Sequence, residues 1–218
     1  MTGRLALVVP VRSLSGGKTR LGPDATPELR AALTARMLRH VLAAAVESGS
    51  ASDILLVSPD PDALAVAREF GPAVTAVVQP VEQQGLNPAI DIGRAAAIAG
   101  GANAMMVLFA DLPLLQADDV RAIASPTAPL VLAPDRNGTG TNGLRLDLTG
   151  PGRDFPFRFG EGSAAAHRAE AAALGLETAT VRTPGTTFDL DTPSDLRELL
   201  ARLDDAWDIP AELVERLR

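Results

Sequence analysis

The sequence predicts an α/β fold with a mostly parallel sheet flanked by helices, and three observations support this prediction. Short apolar runs alternate along the chain with longer segments of helical period, which is the pattern of repeated βα units. The runs are apolar at nearly every position, which is typical of strands that are covered on both faces. A chain of 218 residues, 46% of them hydrophobic, is long enough to enclose a core, and we expect a single domain over 1–218.

The βα units are clearest in the first half of the chain. The first strand is predicted at "LALVVPV", and a helix over 27–48 follows it. Along that helix an apolar residue recurs at every fourth position, namely Leu29, Leu33, Met37, Val41 and Ala45. The pattern then repeats, with strands predicted at 53–58, 73–79 and 104–110 and with helices near 61–69, 87–99 and 116–124.

After about residue 125 the pattern loosens. The runs "PLVLAPD" and "NGLRLDL" are predicted strands, with loops rich in Gly and Pro between them. Helical pattern resumes at "SAAAHRAEAAALG" and at "TPSDLRELLARL", where Thr192 is a candidate N-cap, Pro193 a first-turn proline and Asp195 an early carboxylate. We expect residues 204–218 to form an amphipathic C-terminal extension of the domain.

Composition and charge argue against several classes of function. The net charge of -7 at pH 7 gives no electrostatic reason to expect DNA or an anionic membrane as a partner. Aromatic residues are only 3% of the chain, so we expect no stacking platform for single-stranded nucleic acid. The chain has no cysteine, no apolar run of the ~20 residues that span a bilayer, and no N-terminal signal pattern. A cytoplasmic location fits these features best.

Three aspartates are candidate metal ligands. Asp111 follows the apolar run "MMVLFA", at the carboxyl end of a predicted strand, where open parallel sheets collect their ligands. Asp189 and Asp191 share a face if "FDLD" is an extended β segment. Together they would form an oxygen-only site suited to Mg²⁺ beside a phosphate. The alternatives are that Asp111 caps the helix near 116–124 and that Asp191 caps the helix at Thr192.

The loop after the first strand, "VPVRSLSGGKTRLGP", is a candidate cradle for a triphosphate. It brings together Arg12, Lys18 and Arg20, and it contains Gly16 and Gly17, which allow the backbone to turn toward an anion. The spacing is not that of the common P-loop, because arginine stands at the position of the first glycine. The alternative is a solvated loop with ordinary surface charge.

Two later loops offer small hydroxyl groups and backbone donors. The loop "NGTGTNG" contains Thr139 and Thr141, and Ser163 in "FRFGEGSAAAH" stands directly before a helical pattern, where free backbone N–H groups receive anions. The alternatives are a hairpin turn at "NGTGTNG" and a capping role for Ser163. His167 falls on the predicted helix, and we expect it to have a surface or packing role rather than to bind a metal.

Six of these stretches in order resemble the guanylyltransferases of coenzyme F420 biosynthesis, the CofC/FbiD family. They are "VPVRSLSGGKTRL", "GLNPAI", "FADLPLL", "GTGTNGL", "FRFGEGSAAAH" and "FDLDTPSDL", and the resemblance covers residue 5 to about 203. It implies a single Rossmann-like nucleotidyltransferase domain related to the GT-A type. It also implies transfer of GMP from GTP to a phosphorylated three-carbon acid, with release of pyrophosphate.

The resemblance also implies roles for individual residues. The cradle residues Arg12, Gly17, Lys18 and Arg20 would bind the triphosphate, although relatives often carry lysine at position 12. Asp111 and Asp189 would bind Mg²⁺, and together with Lys18 and Arg20 they would be the catalytic residues. Asn87 in "GLNPAI" is expected to help bind the nucleoside. Thr141, Gly160 and Ser163 match positions that bind the acid in the phosphoenolpyruvate-using branch. Phosphoenolpyruvate is therefore the first choice of acid, with 2-phospho-L-lactate and 3-phospho-D-glycerate as alternatives.

The groups that read guanine and the oligomeric state are not indicated by the sequence. The family chemistry also implies a hand-off of the unstable product to the next enzyme of the F420 pathway. Two competing interpretations are another nucleotidyltransferase of the same fold, such as a molybdopterin guanylyl- or sugar-phosphate nucleotidyltransferase, and a non-catalytic nucleotide-binding protein. The stretch "PVRSLSGGKTR" argues against another nucleotidyltransferase of this fold, because those enzymes usually begin with closely spaced glycines before the arginine and lysine.

Overall fold

The computed structural model describes residues 3–22 and 25–202, and within them seven strands form one sheet. The strands are β1 (Leu5–Pro10), β2 (Asp53–Ser58), β3 (Thr75–Val78), β4 (Ala104–Leu108), β5 (Leu130–Pro134), β6 (Thr141–Asp147) and β7 (Thr178–Thr180). The α-helices in the same ranges are α1 (Pro27–Ser48), α2 (Pro61–Glu69), α3 (Leu86–Ala99), α4 (Ala117–Ala124), α5 (Ser163–Ala173), α6 (Pro184–Thr187) and α7 (Pro193–Arg202). The predicted extension at 204–218 lies outside the described residues, and the single domain over 1–218 stays a prediction.

The strand order across the sheet is β3-β2-β1-β4-β6-β5-β7. The first four of these strands are parallel to one another, β6 is antiparallel to both of its neighbours, and β7 is parallel to β5. The predicted α/β class with a mostly parallel sheet is confirmed. Because β6 is antiparallel to β4, β6 begins beside the carboxyl end of β4, where Leu108 pairs with Gly143. This reversal brings "GTGTNG" beside the loop that carries Asp111.

The first helix forms as its sequence pattern predicts. The Thr26 hydroxyl accepts a hydrogen bond from the backbone of Leu29, Pro27 begins the helix, and Gly49 ends it in the left-handed region. The five apolar residues of the four-residue repeat are all buried. Each such side chain contributes roughly 1.5–3 kcal/mol by its removal from water, except for the smaller Ala45.

Two apolar clusters cover the two faces of the sheet, one with α1, α2 and α4 and the other with α3 and α5. On the second face, Gly93 allows α3 to lie directly on β1, since a Cβ atom at this position would be 2.5 Å from Val8 Cγ1. The close approach fixes the start of α3, at Leu86, near the carboxyl end of β1. A third cluster joins the start of α1 to α7.

Three local predictions differ from the structure. The predicted strand at 73–79 is shorter, and as an edge strand it is not covered on both faces, since Val78 is 65% exposed. The short strand β7 was not predicted, because "TAT" has no apolar run. The segment Phe188–Asp191 is not a strand of the sheet. It is an extended connection between α6 and α7, fastened by a hydrogen bond from Leu190 N to Asp111 O of 3.1 Å.

Among the helices of residues 3–22 and 25–202, none combines the length and the apolar character that crossing a membrane requires.

Candidate active site

An open cleft lies along the sheet edge where β1 and β4 end and β6 begins. It has a larger compartment of about 710 Å³ and a smaller one of about 300 Å³. Leu86, Phe109, Asp111 and Asp191 line both compartments, so the two adjoin at these residues. The cleft therefore lies where an open α/β sheet is expected to bind its ligands.

The predicted site residues are divided between the compartments. Arg12, Gly17 and Lys18 line the smaller one. The larger one is lined by residues from the other stretches that the sequence analysis singled out, namely Arg20, Thr139, Thr141, Gly160, Ser163 and Asp189. The structure thus brings together nine of the ten residues to which roles were assigned in binding or catalysis, all but Asn87, and the metal candidate Asp191 lies with them.

Lys18 joins the first loop to two of the aspartates. Its Nζ donates to Asp111 Oδ2 at 2.6 Å and to Asp191 Oδ1 at 2.8 Å, and its side chain is only 8% exposed. Burial lowers the pKa of the Lys18 ammonium, but the charges of Asp111 and Asp191 and their hydrogen bonds outweigh burial and hold the pKa above its usual value. The ammonium is therefore positive at neutral pH.

The backbone of Lys18 is in an uncommon conformation. Its φ of 59° makes it the non-glycine residue with positive φ among residues 3–22 and 25–202. Such a backbone costs of order 1 kcal/mol or more for a residue with a Cβ atom, and it persists where the surrounding structure holds it. The two ion pairs of the side chain supply this restraint, and they aim the loop at the aspartates.

Asp111 keeps one oxygen without a partner. Its Oδ2 accepts from Lys18, whereas its Oδ1 is buried and has no hydrogen-bond partner among the described residues. An unsatisfied buried carboxylate oxygen is costly, since it loses its hydration without a replacement. The arrangement fits a carboxylate that binds a cation from its Oδ1 side.

Asp189 lies close to the other two carboxylates. Burial raises the pKa of Asp189, the negative charges of Asp111 and Asp191 raise it further, and a hydrogen bond from Asn142 opposes the rise. Asn142 Nδ2 is 3.3 Å from Asp189 Oδ1 and also donates to Thr186 O at 3.0 Å. The fold therefore concentrates negative charge here, which a bound cation would offset.

The capping alternatives for the aspartates are not what the structure shows. Helix α4 is capped by Gln116 with Asp119, and not by Asp111. At the start of α7, Thr192 Oγ1 accepts from the backbone of Asp195, and the carboxylate of Asp195 accepts from the backbone of Thr192. The predicted N-cap at Thr192 is confirmed, and the Asp191 carboxylate is left for Lys18.

A complete protein cage for a metal is not present in the described part of the chain, because no group of three or more His, Cys, Asp or Glu side chains there has ligand geometry. Mg²⁺ does not need one, since it usually takes one or two protein carboxylates and completes its shell with water and substrate phosphate. The free Oδ1 of Asp111 and the crowded carboxyl of Asp189 fit that pattern.

The hydroxyl groups of the larger compartment form a buried cluster. Thr141 and Ser163 are each 2% exposed, and Ser163 Oγ donates to Thr141 Oγ1 at 3.2 Å. Helix α5 begins at Ser163, but its N-cap is Gly162 and no side chain caps it. The capping alternative for Ser163 is therefore wrong, and its hydroxyl belongs to the cleft.

The loop between β5 and β6 is a hairpin turn as well as part of the cleft. Asp135 accepts from Thr139 N at 2.8 Å, and Thr139 O accepts from Ala164 N at 3.0 Å. The turn is thereby fixed against the start of α5. Gly160, with a φ of 140°, adopts a backbone conformation that a residue with a side chain rarely takes, so it exposes backbone to the compartment.

His167 is not on the surface. It is fully buried on α5, and its Nδ1 is 3.2 Å from Thr141 Oγ1 while its Nε2 accepts from Arg158 N at 3.1 Å. Burial lowers the pKa of His167 to about 4, against a smaller opposing effect of Glu170. No sequence pattern indicates these contacts, because they join residues from three separate segments.

Asn87 makes its hydrogen bonds with the protein backbone. Its Oδ1 accepts from Phe159 N at 2.9 Å, and its Nδ2 donates to Phe159 O at 3.1 Å. These bonds tie the start of α3 to the chain just before Gly160. Asn87 is not among the residues that line either compartment, and its role in binding the nucleoside stays a prediction.

Sequence reasoning missed Asn142, which donates a hydrogen bond to Asp189, and it missed Phe109 and Leu86, which line both compartments. Asn142 stands next to Thr141 in "GTGTNG", so the motif contained it. Its contact with Asp189 depends on the antiparallel start of β6, which the motif does not reveal.

Comparisons with known proteins identify relatives over almost the whole chain. A phosphoenolpyruvate guanylyltransferase of Sphaerobacter thermophilus is 40% identical over 194 residues, which are 88% of this chain and 90% of the relative. A protein of the same name from Rubrobacter xylanophilus is 41% identical over 197 residues, which are 89% and 92% of the two chains. Several further relatives carry that name at lower identity.

A solved structure shows the same fold. A nucleotidyl transferase from Methanothermobacter thermautotroptrophicus has a TM-score of 0.64 at 17% identity, and the match covers 90% of this chain and 95% of that one. The nucleotidyltransferase fold implied by the sequence resemblance is confirmed. The family model described as guanylyl transferase CofC like matches residues 5–208. With this match and relatives at 40% identity, the chain belongs to the CofC-like guanylyl transferase family.

Proposed function

We propose that this protein transfers GMP from GTP to phosphoenolpyruvate, with release of pyrophosphate, as a step of coenzyme F420 biosynthesis. The family match and the names of the relatives support guanylyl transfer, and those names support phosphoenolpyruvate over 2-phospho-L-lactate and 3-phospho-D-glycerate. The observation that carries the proposal is that Lys18 lies together with Asp111, Asp189 and Asp191. These four residues lie where the two compartments of the cleft adjoin, and we call this place the seam.

The charges of the larger compartment support the proposal that a divalent cation takes part. Among the described residues that line it, Arg20 is basic, and the acidic ones are Asp111, Asp135, Glu161, Asp189 and Asp191. Both proposed substrates are anions, and they would be repelled from such a lining at close range. We propose that Mg²⁺ is held by Asp111 and Asp189, with Asp191 as a further ligand, and that it neutralises and orients the phosphates when it is bound.

The reaction does not require a covalent enzyme intermediate. A phosphate oxygen of the acid forms a bond to the α-phosphorus of GTP, the bond from that phosphorus to the β-phosphate oxygen breaks, and pyrophosphate leaves. The attacking oxygen is already ionised near neutral pH and needs no general base. The protein contributes alignment and charge stabilisation, which are the main requirements of phosphoryl-type transfer.

We assign the two ends of the cleft to the two substrates. The first, the nucleotide half, consists of the first loop with Arg12, Gly17, Lys18 and Arg20, whose cations form charge-assisted bonds with the triphosphate. The second, the acid half, consists of Thr141, Gly160 and Ser163, which offer neutral donors to the acid. The nucleoside contact of Asn87 remains part of this proposal.

The proposal also includes the location of the enzyme, its domain organisation and the fate of its product. We propose a cytoplasmic enzyme that acts as one domain and hands its unstable product to the next enzyme of the pathway.

A competition assay tests the proposed function. The protein is incubated with GTP and Mg²⁺ together with equal concentrations of the three acids, and the products are resolved by mass. We expect the guanylylated phosphoenolpyruvate to dominate. A dominant product from either other acid would contradict the substrate assignment, and GTP binding without pyrophosphate release for any acid would contradict guanylyl transfer.

A further inference from the structure

The hydrogen bonds of His167 fix the position of its ring proton. A backbone N–H can only donate, so the contact from Arg158 N to His167 Nε2 of 3.1 Å leaves Nε2 without a proton. The proton of a neutral ring is then on Nδ1, which faces Thr141 Oγ1 at 3.2 Å. The His167 ring therefore donates to the Thr141 hydroxyl.

The surroundings of His167 keep the ring neutral. The Phe155 and Phe159 rings pack against it with centroids at 5.9 and 4.5 Å, and burial lowers its pKa to about 4. The charged groups nearby are Glu170, on the same helix, and Arg158, whose guanidinium pairs with Glu170 at 2.8 Å. At neutral pH the ring thus has one proton and one acceptor, and both have partners.

The Thr141 hydroxyl receives two hydrogen bonds. Its oxygen accepts from His167 Nδ1 and from Ser163 Oγ, each at 3.2 Å. A hydroxyl has two acceptor positions and one proton, so both acceptor positions are used and the proton is directed elsewhere. Thr141 lines the larger compartment, where a bound ligand could accept this proton.

We infer that His167 is a positioning residue that commits the Thr141 hydroxyl to donate its proton to an anionic oxygen of the bound acid. The inference rests on the proposed function, since it deepens the role of the acid half. A donor-only hydroxyl favours an ionised carboxylate or phosphate oxygen and disfavours a ligand group that itself needs an acceptor there. His167 thereby contributes to substrate selection without contacting the substrate.

The first test reads the proton directly. A spectrum of the protein labelled with ¹⁵N at histidine, recorded near pH 7, should show a neutral His167 with its proton on Nδ1, and the signal is assigned by its loss in His167→Asn. Addition of phosphoenolpyruvate with Mg²⁺ and a non-hydrolysable GTP analogue should shift this signal. A ring protonated on Nε2, or on both nitrogens, would overturn the inference.

The second test separates positioning from packing. His167→Leu removes the donor but keeps an apolar side chain of similar size, whereas His167→Asn keeps an N–H near the position of Nδ1. We expect His167→Leu to raise KM for the acid about tenfold, the value for loss of one hydrogen bond to a charged group, and to leave KM for GTP nearly unchanged. His167→Asn should recover most of the loss.

A double-variant cycle with Thr141→Val completes the test. If His167 acts through the Thr141 hydroxyl, His167→Leu should add less than about twofold to KM for the acid when that hydroxyl is already absent. Equal effects of His167→Leu in the two backgrounds, or an equal rise in KM for GTP, would show a packing role and overturn the inference. Melting temperatures of the four proteins report the packing contribution separately.

The outcomes distinguish this inference from the proposed function. A wild-type protein that releases no pyrophosphate with any of the three acids would refute the proposed function, while the position of the His167 proton is read without turnover. Normal turnover together with a proton on Nε2 would refute the inference alone.

Discussion

The two halves of the cleft differ in charge and in how their groups are held. In the nucleotide half, Arg12 and Arg20 are exposed, and Lys18 is held by ion pairs to Asp111 and Asp191. In the acid half, Thr141 and Ser163 are buried, neutral and held by a network of hydrogen bonds. Long cations can follow a flexible polyphosphate, whereas short fixed donors discriminate between acids of similar size. If the two halves bind the substrates as proposed, affinity for the nucleotide would come mainly from charge, and selection of the acid would come from preorganised geometry.

The largest effect is expected at the seam between the halves. Asp111→Asn or Asp189→Asn removes a proposed ligand of Mg²⁺, and each should lower pyrophosphate release by about a hundredfold or more while the protein stays folded. The measurement is Mg²⁺-dependent release of pyrophosphate, with circular dichroism as the check on folding.

A matched control for the seam is Asp118→Asn. This aspartate lies on α4 with a side chain that is 87% exposed, and its ion pair with Arg121 is at the surface and contributes little. Its activity should stay near that of the wild type. Near-normal turnover of Asp111→Asn or Asp189→Asn would contradict the metal assignment.

The second prediction concerns His167, which contacts Thr141 of the acid half, and the pH dependence of the protein's stability. Folding lowers the pKa of His167 from 6.5 to about 4, so its contribution is complete above pH 6.5 and is lost as the pH falls toward 4. The loss approaches about 3 kcal/mol of the free energy of unfolding. Urea unfolding at several pH values should show this slope for the wild type, and His167→Leu should show a shallower one. Equal slopes for the two proteins would mean that His167 is not buried as a neutral ring.

The third prediction concerns the nucleotide half. Lys18→Gln keeps a polar side chain but removes the charge, and it should raise KM for GTP by tens of fold, as expected for loss of a charge-assisted contact to phosphate. KM for the acid should change much less. If both KM values rise together, charge and selection are not divided between the halves as proposed.

The smallest effect is expected at Asn87, which ties the start of α3 to Phe159, directly before Gly160 of the acid half. Asn87→Ala removes two hydrogen bonds to the backbone of Phe159 and should destabilise the protein by roughly 1–3 kcal/mol, with only a severalfold rise in either KM. Chemical denaturation and steady-state kinetics measure the two effects. A selective rise in KM for GTP with unchanged stability would instead support direct contact of Asn87 with the nucleoside.

Local sequence signals were sufficient for much of the fold. The helix at 27–48 and the strand at 53–58 match α1 and β2 at both ends, because their apolar period, proline and flanking glycine act over neighbouring residues. The short strand β7 and the extended segment at Asp189 could not be predicted in this way. Their conformation is fixed by pairing with distant residues, as in the hydrogen bond from Leu190 N to Asp111 O.

The sequence by itself determined the residue types and their order along the chain: a cationic loop, a carboxylate after β4, hydroxyl groups before β6 and α5, and a second carboxylate pair before α7. Only the tertiary structure decided which of these groups meet and in which state. It directed Lys18 to Asp111 and Asp191, left one oxygen of Asp111 without a partner among the described residues, and placed His167 Nδ1 against the Thr141 hydroxyl. The physical reason is that a motif depends on neighbours in sequence, whereas these hydrogen bonds join residues that are 9 to 173 positions apart.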